Sequence, residues 1–194
     1  MRRTITVITL AMLSIAIGVL AISRADAPFL RPVLDGPVYG ENNALKRPEN
    51  TESWVFLGTT MGMTYTDDEP APGDPGLFST VLMEPSAYQA FLDTGRFADG
   101  TVFAKIVRDT ITSDGGFSMG RELGMEVHVK DETRFPKHGF NFYFFPADGD
   151  DFASALPNDN GCISCHQERA EFDDVFTQFY PTLRDKVRSN SEEP

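Results

Sequence analysis

The stretch "GTVFAKIVRD", Gly100 to Asp109, places Phe103, Lys105 and Val107 on one face and Val102, Ala104 and Ile106 on the other. Side chains of an extended chain alternate between two faces, so this period of two predicts a strand with apolar groups on both sides. The preceding Asp99-Gly100 pair is a turn signal. Lys105 is the anomaly, a cation between two apolar neighbours on one face.

Outward from this strand the same logic recurs. "RELGMEVHVKD" (121–131) and "GFNFYFFP" (139–146) read as two more strands on the C-terminal side. "SWVFLGTTMGMTY" (53–65) and "LFSTVLMEP" (77–85), rich in β-branched and aromatic residues, read as two on the N-terminal side. Between these last two, "TDDEPAPGDPG" (66–76) is a loop by its acidic residues and prolines. "PSAYQAFLDTG" (85–95) predicts a helix with Pro85 in its first turn and Gly95 as its stop. "AEFDDVFTQFYPTLRDKVR" (170–188) carries Val175, Phe176, Phe179 and Leu183 at helical spacing and predicts a C-terminal helix bent near Pro181. The expectation is an α+β fold, mostly antiparallel β-sheet with short helices.

The chain of 194 residues is long enough for one domain with a substantial core. Its first 27 residues show a basic start, an apolar run and then small residues, the order of an export signal peptide, with an uncleaved membrane anchor as the other reading. Residues 28–53 read as an extended N-terminal arm, 54–188 as the folded domain and 189–194 as a frayed tail. The formal charge is −12, and removal of a leader containing three arginines and one aspartate takes it to −14. Without a basic stripe, nucleic-acid binding is excluded as an expectation, and the acidic surface suits solubility or a basic electron-transfer partner. After leader cleavage no association with a membrane is expected.

Both cysteines of the chain lie in "NGCISCHQER", Asn160 to Arg169. A redox dithiol would follow a βαβ pattern, whereas antiparallel strands precede this one. A structural zinc ion needs four ligands, and the only other histidines are His128 and His138. Covalent c-type haem uses every feature: Cys162 and Cys165 as thioether sites and His166 as the proximal iron ligand. Met61, Met63, Met119, Met125, His128 and His138 are possible sixth ligands. The methionines fit core positions, His138 a polar turn, and His128, facing away from Val127 and Val129, a surface position.

"SWVFLGTTMG", "SAYQAFLDTGRFADGTVFAKIVRD", "GMEVHVKDETRFPKHGFNFYFFP" and "CISCHQERAEFDDVFTQFYPTLR" together resemble the cytochrome P-460 family over about residues 54 to 184. That resemblance implies a periplasmic, homodimeric protein with one covalent haem c, whose motif lies near the C-terminus. It also implies one of two activities. One branch oxidises hydroxylamine to nitric oxide or nitrous oxide at a haem cross-linked to a lysine. The other, cytochrome c′-β, lacks the link and binds nitric oxide beneath phenylalanines. Lys105 is the counterpart of the cross-linking lysine, unless it merely points to water. Asp159, or Asp151, is a candidate distal carboxylate, and Phe78 and Phe103 are candidates to line the haem pocket. Arg121, Glu122, Glu126 and Arg134 are candidates for contacts with the propionates. A small nitrogen species is the expected ligand or substrate and a soluble electron carrier the expected partner, while a six-coordinate electron-transfer cytochrome is the remaining alternative.

Overall fold

The computed structural model describes residues 36–65 and 73–192, so the leader, the start of the arm and most of the acidic loop lie outside the described residues. The strands are β1 Leu45–Lys46, β2 Val55–Met61, β3 Phe78–Met83, β4 Val102–Ser113, β5 Gly116–Lys130, β6 Phe140–Pro146 and β7 Phe152–Ala153. The helices are α1 Pro85–Thr94, α2 Gly161–Arg169 and α3 Pro181–Glu192. Strands β2 to β6 form one antiparallel sheet in chain order, and β1 pairs with β7 in a separate two-stranded ribbon. The α+β, mostly antiparallel architecture expected from the alternation is the one observed. No helix among the described residues is long and apolar enough to cross a membrane.

Strand β4 occupies the middle of the sheet, and its two faces are covered by different parts of the chain. Val102, Ala104, Val127, Val129, Tyr143 and Phe145 pack beneath Leu45, Tyr39 and Trp54 of the N-terminal region. Leu45 is 1% exposed, so the arm closes this side of the core. On the opposite face Leu57, Met83 and Phe103 meet Phe91 of α1 and Val175, Phe176, Tyr180 and Leu183 of the C-terminal region. Tyr180 approaches β2 closely, since a Cβ on Gly58 would stand 3.0 Å from its Cδ1. A side chain at Gly58 would therefore displace the ring.

Local signals explain most boundaries. In α1, Pro85 opens the first turn, the Glu84 carboxylate accepts from the Ser86 and Ala87 amides, and Gly95 closes the helix at φ 69°. The C-terminal segment departs from the expected bent helix. Val175 and Phe176 are not helical, a 3₁₀ turn covers Thr177–Phe179, and Pro181 begins α3 instead of kinking a longer helix. Proline lacks an amide hydrogen that a first helical turn does not need, which favours it at a helix start. Helix α3 then extends through Glu192, so the backbone of the tail is helical up to that residue.

Phe91 is fully buried and stacks on Phe97 at 4.5 Å between ring centroids. Phe91→Ala is expected to cost about 3–5 kcal/mol through lost burial and a residual cavity. Thermal unfolding should show a midpoint roughly 10 °C lower.

Candidate functional site

Two neighbouring cross-strand rungs of the sheet make the floor of a cavity. In the first, Val81 of β3, Lys105 of β4 and Glu126 of β5 stand opposite one another. In the second, Phe103 of β4, His128 of β5 and Phe142 of β6 are aligned in the same way. All six line a cavity of about 300 Å³. Its remaining wall comes from α2, through Cys162, Cys165 and His166, and from Tyr65, Val175, Phe176 and Tyr180.

Lys105 faces this cavity from the central strand. Its Nζ lies 2.7 Å from Glu126 Oε2 and 5.5 Å from the centre of the Tyr65 ring. The Lys105 side chain is 24% exposed and that of Glu126 44%, so water screens the pair substantially. Phe103 also lines the cavity, close to the His128 ring.

Phe78 lies elsewhere. It pairs with Met61 and Arg108 at the far end of β3, and its odd spacing from Val81 puts it on the opposite face of the strand. Asp159 is exposed in the turn before α2, ahead of the helix cap, and does not line the cavity. Asp151 is likewise exposed. The carboxylate at the cavity is Glu126, brought there by its register opposite Lys105. Of the other candidates for the propionates, Glu122 is paired with Arg47 and Arg108 on another part of the sheet, and Arg134 stacks over Tyr39 at 3.7 Å. Arg121 is exposed.

His128 is 7% exposed, which corrects the surface position expected for it. It does face away from Val127 and Val129, but the second face of the sheet is covered as well, and its ring packs among Phe103, Phe140, Phe142 and His166. Burial, with His166 and Lys130 nearby, holds its pKa well below the usual imidazole range, so it is neutral. Its Nε2 finds no hydrogen-bond partner among the described residues.

Helix α2 presents the motif. The Asn160 side chain caps it by accepting from the Cys162 and Ile163 amides, and Ile163 is buried against Phe140 and Phe142 of β6. Cys165 and His166 follow Cys162 by three and four residues, so all three fall on one side of the helix, toward the cavity. The His166 Nδ1–H donates to the Asp174 carbonyl at 2.7 Å, and a carbonyl can only accept. The lone pair is thereby left on Nε2. Burial also lowers the pKa of His166, which favours the neutral form a metal ligand needs.

Both cysteines are free thiols. Burial, reinforced by Glu126, raises the Cys162 pKa, which is the wrong direction for a reactive redox dithiol. The donor set suits a haem: two thiols and a neutral imidazole on one helix, an apolar and aromatic cavity, and an unsatisfied buried polar atom at its floor. The fold and this site together define a β-sheet haem protein.

A family model, cytochrome P460, matches residues 48–177, and the chain belongs to that family. Membership implies a haem cofactor and relates the chain to c-type haem proteins of hydroxylamine oxidation or nitric oxide binding. No curated protein matches the chain.

Asn160→Ala removes the acceptor for two α2 amides and is expected to cost about 1 kcal/mol. Denaturant unfolding should show a lower midpoint at unchanged slope.

Proposed function

We propose that this chain is an exported mono-haem c-type cytochrome that oxidises hydroxylamine, or a related small nitrogen species, to nitric oxide or nitrous oxide. Cys162 and Cys165 hold the haem as thioethers and His166 is its proximal ligand. The observation that carries the reading is the Lys105–Glu126 ion pair on the floor of an otherwise largely apolar cavity, beside the helix that bears the motif. Two charged side chains beside that helix support a reading in which protons move at the site over one in which the cavity only excludes water.

The haem supplies the iron that binds nitrogen and the electron-accepting centre. The surrounding side chains serve binding and proton transfer. Phe103, Phe142 and Phe176 exclude water. Oxidation of hydroxylamine removes protons and electrons together, so it needs a base near the substrate and an exogenous electron acceptor. Glu126, at the cavity floor, is placed to take the proton. Lys105 is also the candidate for a covalent link to the porphyrin.

The nitric oxide-binding alternative is favoured by the phenylalanines that line the same cavity. A six-coordinate electron carrier is less well supported. None of the four candidate methionines lines the cavity, and His138 is engaged with the Asn158 carbonyl. His128 does line it, but its ring lies 5.2 Å from that of His166 in edge-to-face contact.

The reduced absorption spectrum separates these readings. The cross-linked enzyme should absorb anomalously at long wavelength, and Lys105→Ala should return an ordinary c-type spectrum. An ordinary spectrum in the unmodified protein would favour the gas binder, and a low-spin six-coordinate spectrum the electron carrier. Haem should stay with the chain in a denaturing gel and be lost in Cys162→Ala/Cys165→Ala; retention in the double variant would refute the thioether assignment. Glu126→Gln should keep the haem but lower hydroxylamine turnover about 10²-fold or more in steady-state kinetics. Unchanged turnover would remove Glu126 as the base.

A further inference from the structure

The imidazole of His166 is oriented by a backbone carbonyl, and the turn that carries this carbonyl is not self-sufficient. Phe172 and Val175 pair across Asp173 and Asp174, with the Val175 amide donating to the Phe172 carbonyl at 2.9 Å. Both central residues have positive φ, 50° at Asp173 and 58° at Asp174. That is the pattern of a tight hairpin turn of the primed type, for which Asn-Gly is the favoured sequence because glycine accepts positive φ without strain. Two consecutive aspartates hold it at positive φ, where glycine would carry less strain.

Lys130 offsets that strain. It ends β5 and is 7% exposed, and its Nζ donates to both the Asp173 carbonyl at 3.0 Å and the Asp173 carboxylate at 2.5 Å. A single buried ammonium thus grips the backbone and the side chain of the residue next to the one whose carbonyl holds His166. The neighbouring Val175 and Phe176 enter the cavity wall, so the same turn sets that wall as well.

We propose that Lys130 is a positioning residue for the proximal ligand: by clamping the Asp173–Asp174 turn it fixes the hydrogen bond to His166 Nδ1 and, through it, the donor strength of Nε2. This rests on the reading of His166 as the axial ligand. A hydrogen bond to the distal nitrogen of a metal-bound imidazole raises its basicity. A more basic ligand favours the oxidised metal. Loosening the turn should therefore raise the haem reduction potential.

The test uses the haem-loaded protein and four variants. Lys130→Met should shift the reduction potential to a more positive value and lower and broaden the iron–histidine stretching band of the reduced protein. Asp173→Ala, which leaves β5 untouched, removes the side-chain half of the grip and puts alanine at a positive φ, and should shift both in the same direction. Adding Asp173→Asn and Asp174→Gly to the Lys130→Met protein gives the turn its own preference for positive φ, and should restore both readouts toward those of the parent. A role for Lys130 in packing alone predicts no such rescue. His166→Ala is the control for the underlying reading: if it leaves the iron–histidine band in place, the ligand assignment is wrong. If that band disappears in His166→Ala but neither Lys130→Met nor Asp173→Ala moves it or the potential, the ligand stands and the positioning role is overturned.

Discussion

The site depends on the register between β4 and β5. One face of that strand pair puts Lys105 opposite Glu126 and, one rung further, Phe103 opposite His128. A slip of one residue would turn Val127 and Val129 into the cavity and bury the two polar groups beneath the N-terminal arm. The register is protected by the apolar residues on the other face, where Val102, Ala104, Val127 and Val129 are all buried. The core under the arm therefore specifies the position of chemistry on the reverse side of the sheet.

That register also limits what the sequence could disclose. The strands are legible because their alternation is strong, and α1 is legible because proline and glycine mark both ends. The pairing of Lys105 is not. At the hairpin tip Ser113 stands opposite Gly116, and the same register carried inward would give Lys105 Gly124 as its partner. Irregularities between Val107 and Thr110 shift the pairing by two residues and deliver Glu126 instead. No local pattern announces that shift, so the sequence suggests Asp159, near the cysteines, as the distal carboxylate and offers Glu126 only as a contact for the propionates.

His128 and Phe78 illustrate a second limit. Alternation says which residues share a face, but not whether that face is wet. His128 looked like a surface residue because polar groups on alternating strands usually are, and its burial became predictable only once α2 and the chain after it were known to cover the second face. Phe78 belongs to a strand that does line the cavity, yet its own position is on the wrong side and toward the wrong end. The Cys-x-x-Cys-His motif is different in kind, because the chemistry it suggests is contained in five consecutive residues and owes nothing to register.

The origin of the cavity walls also orders events in the life of the chain. Its floor is made from β3 to β6, complete by Pro146, whereas Val175, Phe176 and Tyr180 come from chain that follows the cysteines. The sheet can thus form while the pocket is still open on one side, and chain that follows the cysteines is what shuts it. Docking of that stretch packs Cys165 against the second core and leaves Cys162 exposed, so the two thiols differ in access once the wall is in place.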